Sequence, residues 1–406
     1  MKFLSFLPLA LLSIAAPGRS AADEPRPKVA TLRVPGGGIQ PQVALGRDGV
    51  VHPHLHLIYY RGDPRSGDIF YVHSKDDGAT FSTPLRVNRQ EGSAVAAGNI
   101  RGAQLALGKD DRVHVAWNGS QRARPRGPPN PELPDDSPYK HSAPLLYTRL
   151  RDDRSGFEAE HNLMTSTYAL DGGGSVAADH KGNVYVTWHA PRVGGPKGEA
   201  GRAVWIARST DDGRTFSPET KANSEPTGAC GCCGLRSFVD RRGVLYTLYR
   251  TATSVLKRDM YLLVSEDRAR RSRGARIHPW NVPKCVMSLS SFFETPAGAI
   301  LAAWETEEQV YYARVDRTSP AISKPIAAPG PGKVRKFPVV AANDSGEVIL
   351  AWTEGMRWGK GGTVRWQVFD RDGKPIPGAE GRAAGVPPWS LVAVFPRRDG
   401  GFTVVY

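Results

Sequence analysis

Gly182-Asn183-Val184-Tyr185-Val186-Thr187-Trp188-His189 is followed, after a Gly-rich gap, by Ala203-Val204-Trp205-Ile206-Ala207-Arg208 and then by Ser209-Thr210-Asp211-Asp212-Gly213-Arg214-Thr215-Phe216. The first piece enters on glycine and continues in β-branched and aromatic residues, which is the pattern of a buried strand. The second reads as its hairpin partner. The closing octet, Ser-x-Asp-x-Gly-x-Thr-Phe, recurs as Ser74-Lys75-Asp76-Asp77-Gly78-Ala79-Thr80-Phe81. It reads as a strand-to-strand turn. Ser and Asp bond the turn's own backbone, Gly tolerates φ > 0, and the aromatic plugs the turn into the core.

The strand pattern recurs along the chain. A turn residue leads into an apolar strand that ends in an aromatic at 50–60, 112–117, 183–188, 244–249, 299–304, 347–352 and 401–406. A strand-only repeat of this size predicts propeller blades. A strand precedes each copy, and a third and fourth follow all but the last. The blades therefore read 36–88, 99–165, 172–223, 230–280, 285–328 and 333–385, with residues 389–406 supplying two strands of a seventh. Residues 28–34 form a lone strand at the other end. Pairing it with the C-terminal strand closes the ring and removes exposed edges.

The 406 residues include 44 Gly and 33 Pro, too many turn formers for a helical protein. Residues 1–22 read as a secretory signal, with Lys2, a short apolar run at 3–16 and a small-residue cleavage site at Ser20-Ala21-Ala22. Residues 23–406 then form a single propeller domain without a transmembrane segment, expected as a monomer, secreted or periplasmic. Lys and Arg outnumber Asp and Glu by 54 to 40, a formal charge of +14. That balance favours acidic partners. The bases are scattered and no nucleic-acid motif accompanies them, so an anionic glycan or acidic sugar fits better than nucleic acid. Residues 119–144 are Pro- and Arg-rich, with Arg122, Arg124, Arg126 and Pro128-Pro129. They predict a long loop inserted between two strands of the second blade.

The paired octets resemble the Asp-box (BNR) repeat of sialidase-like β-propellers. The fold expected is thus all-β, a sialidase-like β-propeller of four-stranded blades. The repeat count gives seven blades and the family analogy six. In a four-stranded blade the Asp boxes, after the third strand, lie on the face opposite the ends of the second strands. Those ends carry Arg61, Asn118, His189, Arg250, Glu305 and Thr353 followed by Glu354, while Gln42, Arg101 and Arg236 stand near the starts of first strands. Polar groups converging on one mouth suit a polar ligand. The resemblance implies an exo-α-sialidase, a glycoside hydrolase, if the protein is an enzyme. It places the acid/base at Asp63 and a carboxylate-binding arginine at Arg250, with Arg61 and Glu305 beside them. Substrate contacts are expected from Arg101, Gln42, Asn118, His189, Arg236 and Glu354. The family's nucleophilic Tyr with its Glu has no counterpart here. The alternative is a propeller that binds glycan or protein without cleaving it.

Cys230, Cys232 and Cys233 open the fourth blade, and Cys285 with Met287 opens the fifth. All four thiols are expected at one mouth on neighbouring blades. One disulfide to Cys285 is feasible, whereas adjacent cysteines make two difficult. The same set, with the Met287 thioether, suits Cu(I), or Zn with four sulfurs. Free reactive thiols are the third option. His52, His54 and His56 alternate along one strand face, a polar face or a ligand set. Asn118-Gly119-Ser120 and Asn343-Asp344-Ser345 are glycosylation sequons, meaningful only in a eukaryotic secretory host.

Overall fold

The computed structural model describes residues 28–46, 54–332 and 334–406. The signal segment at 1–22 and His52 lie outside them. The described residues form seven sheets. The first contains Ile39–Leu45, Leu55–Asp63, Ser66–Ser74 and Leu85–Arg86; the second Gln104–Leu107, Val113–Asn118, Leu145–Arg149 and His161–Asn162. The third contains Ser175–Ala178, Val184–Ala190, Ala203–Ser209 and Thr220–Lys221; the fourth Arg236–Val239, Leu245–Arg250, Met260–Ser265 and Arg273–His278. The fifth contains Ser291–Glu294, Ile300–Thr306, Gln309–Val315 and Ile326–Ala327; the sixth Arg335–Ala342, Val348–Glu354, Gly362–Phe369 and Gly381–Val386. Each is an antiparallel meander in chain order. The first strands contact one another in sequence around the ring, and that of the seventh sheet touches that of the first. The protein is a seven-bladed β-propeller, so the repeat count holds over the six-blade analogy.

The seventh sheet joins the chain ends. Val29–Leu32 pairs in parallel with Phe402–Val405, which pairs antiparallel with Ala393–Pro396. This is the expected closure, and it leaves that blade with three strands. The apolar core is divided into wedges between adjacent blades, as period-two strands buried on both faces require. Trp117, Trp188 and Trp304, the aromatics that end second strands, are fully buried in these wedges.

Register fixes the two faces. Leu55 pairs with Ser74 and Arg61 with Asp68, so the first octet turn and Arg61 stand at opposite ends of the blade, ~20 Å apart at strand rise. The octet residues Asp77 and Asp212 bond Arg398 and Arg112, which belong to turns between first and second strands. The octets and those turns thus share one face. The other face is the mouth, formed by the second-to-third-strand loops and the segments leading into the first strands.

Both octets fold alike. Ser74 Oγ donates to Asp76 Oδ1 at 2.7 Å and accepts the Gly78 amide at 2.9 Å, while the Thr80 amide and hydroxyl bond the same carboxylate. Ser209, Asp211, Gly213 and Thr215 repeat these contacts. These bonds hold the Asp76 and Asp211 carboxyls at about 2, the Thr80 contacts leading for Asp76, while for Asp211 the Ser209 and Thr215 bonds prevail over a larger opposing burial effect. A third turn of the same build occurs in the fourth blade: Ser265 Oγ donates to Asp267, and the Ala269 amide donates to Ser265 Oγ, each at 3.0 Å.

Residues 119–144 bond the connections on both sides of the second blade. Ser120 Oγ donates to the Gly92 carbonyl at 2.6 Å, and Ser142 Oγ accepts the Ala169 amide at 2.8 Å. Asn118 and Asn343 of the two sequons are buried. His56 is buried with Nδ1 2.8 Å from the Tyr71 hydroxyl, and His54 stacks against His73. No helix of the described residues is long and apolar enough to cross a membrane.

Candidate functional site: a thiol cluster at the mouth

The Cys-x-Cys-Cys loop is a turn closed by the Cys233 amide on the Cys230 carbonyl at 3.2 Å. Four neighbours pin it. The Cys230 amide bonds the Arg250 carbonyl, the Gly231 amide bonds Glu199 Oε1, the Gly234 amide bonds the Ser288 carbonyl, and His189 Nε2 lies 2.6 Å from the Cys233 carbonyl oxygen. Arg202 Nε donates to His189 Nδ1, so Nε2 carries the proton and donates to Cys233. Burial, with Arg202 alongside, lowers the His189 pKa to about 4, and the ring is neutral.

Within this loop the Cys230 and Cys233 sulfurs are 3.2 Å apart and those of Cys230 and Cys232 3.5 Å. All three lie within 4.8 Å of one another, close enough to hold one metal ion. Sulfurs sharing a metal at ~2.3 Å are spaced about 3.7–4.0 Å apart, so small adjustments suffice. Cys230 and Cys233 are buried, Cys232 is half-buried and Cys285 exposed, and all four are thiols. Cys285 lies near Cys232, as adjacent blades predict, but outside the group of three sulfurs, and the Met287 amide faces both. Met287 takes the left-handed φ of 46° there. Its side chain packs into the apolar wedge containing Ile100 and Phe337 rather than that of the cysteines, so Met287 reaches the sulfurs through its backbone.

Crowded thiols do not ionise together. Hydrogen bonds from Cys230, Cys233 and the Met287 amide lower the Cys232 thiol, and bonding to Cys232 lowers that of Cys285. The neighbouring sulfurs and burial raise Cys230, and burial raises Cys233. Deprotonation is thus eased at Cys232 and Cys285, against burial at both and against Cys285 at Cys232, and is opposed at Cys230 and Cys233. Arg250 and Arg202 supply the nearby positive charge.

The remaining polar residues divide into two groups. Arg101 pairs with Asp171, and Asn118 donates to the Asp171 and Gly172 carbonyls beside the cysteine loop. The Arg250 guanidinium is buried over the Trp280 ring and donates to Ser288 Oγ at 3.0 Å, to the Arg258 carbonyl at 2.6 Å and to the Glu305 carbonyl. Glu305 is buried, and its carboxylate takes Lys336 Nζ at 3.0 Å. Burial pushes that carboxyl up, against Lys336 and Arg250. Arg236 crosses the axis from the fourth blade to bond Gln42 Oε1 of the first at 3.2 Å, and burial alone lowers its pKa to about 10.

Three residues stand apart from this network. Arg61 and Asp63 lie exposed at a hairpin tip, Arg61 over Phe70 and Asp63 capping the Arg65 amide at 2.8 Å. Glu354 is held by Arg335, Arg365 and the Trp352 indole in the sixth blade. Sequence reasoning missed Asp171, Glu199, Arg202, Ser288 and Lys336. They sit in connecting segments, or in Lys336 on a bulged strand, where no periodicity marks them.

No protein-family model matches the chain, and no curated protein matches it by sequence. Solved structures do. A protein of unknown function from Dyadobacter fermentans is 13% identical with a TM-score of 0.52, covering 82% of this chain and 94% of that one. An α-L-arabinanase from Penicillium chrysogenum is 15% identical with a TM-score of 0.52, over 82% and 94%. The α-L-arabinofuranosidase arb93a from Fusarium graminearum is 14% identical with a TM-score of 0.51, over 82% and 93%. At these identities the likeness is one of fold, and the chain shares a propeller with proteins that act on glycans.

Proposed function

We propose that this is an exported propeller that binds one soft metal ion at its mouth through Cys230, Cys232 and Cys233. Cu(I) is the first choice and Zn the second, with Cys285 as the further ligand open to exchange. The observation that carries the reading is the set of three sulfurs within 4.8 Å on a loop pinned by four neighbours. Soft thiolates select Cu(I) or Zn over hard cations. Two arginines beside the cluster offset the negative charge of a thiolate complex. Cys230 has two nearly equidistant sulfur neighbours, so the spacing favours no single disulfide.

The test is titration of the purified, reduced mature protein with Cu(I) and Zn(II) against a chromophoric chelator. One equivalent should bind, protect the cysteines from alkylation and be lost in a Cys230→Ser/Cys233→Ser variant. Substoichiometric binding, or a Cys230–Cys233 crosslink by intact mass in the exported protein, would defeat it.

A second reading is recognition of an acidic glycan across the same mouth. The exposed large hydrophobics of the described chain, Tyr139, Val193, Val255, Leu256 and Trp358, all lie on second-to-third-strand loops of this face. Trp358, 65% exposed, packs edge-to-face on Trp389 at 4.7 Å, a platform suited to a sugar ring. Arg101, Gln42, Asn118, His189, Arg236 and Glu354 would supply the polar contacts. Hydrolysis of sialidase type would need Asp63, Arg61, Arg250 and Glu305 to meet one sugar, and Arg250 and Glu305 already spend their polar groups inside the protein. Binding therefore fits better than cleavage. Turnover of a sialoside reporter, lost in Asp63→Ala, would reverse that preference.

A further inference from the structure

The opposite face holds a cleft of about 440 Å³ between the third and fourth blades. Its walls are the second octet turn, the start of Val184–Ala190 and the turn of the same build in the fourth blade. Three arginines line it, Arg208, Arg268 and Arg270, and no acidic side chain does among the described residues. Arg208 spends one N–H on the Ala269 carbonyl at 3.2 Å, while Arg268 and Arg270 are exposed, with no side-chain partner among the described residues. The nearest carboxylates are engaged in turns: Asp211, just behind the lining, accepts from the Ser209 and Thr215 hydroxyls at 2.7 and 2.6 Å. Asp179 bonds the Lys181 and Asn183 amides of its own turn, and Asp267 bonds Ser265 and the Arg271 amide. The cleft between the fourth and fifth blades differs, since Glu294 there pairs with Arg241 and Arg317.

Tyr185 forms part of the cleft lining. It is 1% exposed, and its hydroxyl has no hydrogen-bond partner among the described residues. Buried polar groups without partners are rare and costly, so the hydroxyl of this lining residue is an unused donor for a ligand. Burial pushes the Tyr185 pKa up to about 12, so the group is a donor at any physiological pH. Thr210 and Ser217 add hydroxyls, that of Thr215 being given to Asp211, and the half-buried Phe216 adds an aromatic wall. Arginines with a phenol donor recognise an oxyanion. Hydroxyls beside an aromatic ring recognise a sugar.

We propose that this cleft is a second binding site, separate from the mouth, for a sugar bearing an oxyanion such as a sulfate ester or carboxylate. Tyr185 and Arg208 hold the anionic substituent, and Arg268 and Arg270 draw in the chain that carries it. A polyanionic glycan held here leaves the thiol mouth on the far face free. The excess of basic residues serves the same partner.

The experiment measures binding of a sulfated heparin-derived tetrasaccharide, its desulfated counterpart and inorganic sulfate to the full mature protein by calorimetry. The sulfated sugar should bind, the desulfated one at least tenfold more weakly, and inorganic sulfate more weakly still. Arg268→Ala/Arg270→Ala, exposed and without side-chain bonds among the described residues, should fold normally and weaken binding by roughly a hundredfold. Tyr185→Phe should weaken it about tenfold while leaving the melting temperature equal or higher, because the lost hydroxyl had no partner among the described residues. Unchanged affinity in both variants, or inorganic sulfate binding as well as the sugar, would overturn the proposal.

Discussion

A methyl group at Gly172 would run into the Cys233 carbonyl oxygen and His189 Nε2, the two atoms whose hydrogen bond fixes the cysteine loop. Gly172→Ala should therefore push the loop away from His189 without touching a sulfur. The expected result is a 10- to 100-fold loss of metal affinity, the usual effect of disturbing groups behind the ligands, with the propeller still folded. Chelator competition alongside circular dichroism checks it, and unchanged affinity would mean the loop is not held from this side. The same residue scale shows where sequence reading stops. Arg250 is legible as a polar residue ending an apolar strand. Its partners are three oxygens, two of them backbone carbonyls, and carbonyls leave no signature in a sequence. The cysteines were legible because chain order and blade order together bring Cys285 beside Cys232.

At the scale of the turn, two Ser-x-Asp-x-Gly-x-Thr-Phe turns could be read from their octets and the third turn of the same build could not. Ser265 and Asp267 keep the bonding pattern, but Ala269 stands where Gly78 and Gly213 stand in the others, and Arg271 replaces the threonine. The backbone explains the difference. Ala269 takes a φ of 61° and packs in the wedge with Tyr185 and Ile206, so its methyl is accommodated. Gly213 has a φ of 79°, and a methyl there would collide with the Tyr147 hydroxyl, which is itself bonded to His114 at 2.7 Å. Gly213→Ala should thus combine left-handed strain with overpacking and cost about 2–4 kcal/mol. Gly346→Ala, at the same φ of 79° but facing only the flexible Arg371 side chain, should cost about 1–2 kcal/mol. Urea melts of the two variants separate strain from collision, and equal losses would remove the steric part of the argument.

For the whole molecule, blade number and ring closure were legible because each blade repeats one buried strand ending in an aromatic. The face carrying the octets followed from meander topology alone. The network behind the mouth was not legible, since it joins residues far apart in sequence through segments without period, such as Glu199 with Arg258 and Glu305 with Lys336. The same wedge packing sets the pH response. His56 is buried against Tyr71, with His54, His73 and Arg154 adding positive charge, and its pKa falls to about 3 chiefly through burial. His114, buried beside Tyr147, Arg112 and Arg149 with Asp212 opposing, is lowered for the same leading reason, as is His161. Above pH 6.5 these rings are neutral both folded and unfolded. Below it the unfolded chain takes up protons that the folded protein refuses, so their stability contribution is present above 6.5 and is lost as pH falls, for His56 down to about 3. Each such histidine makes the slope steeper by up to about 1.4 kcal/mol per pH unit. Asp76 and Asp211, held at about 2, act in a lower window. Their contribution is full above about pH 4 and disappears as pH falls through 2. Thermal melts should therefore be level from pH 8 to 7, fall steadily between 6.5 and 4, and steepen below 4. His56→Gln, which does not titrate, should flatten the upper slope and leave the lower one, whereas a melting temperature constant from pH 7 to 4.5 would show that the buried rings do not govern acid stability.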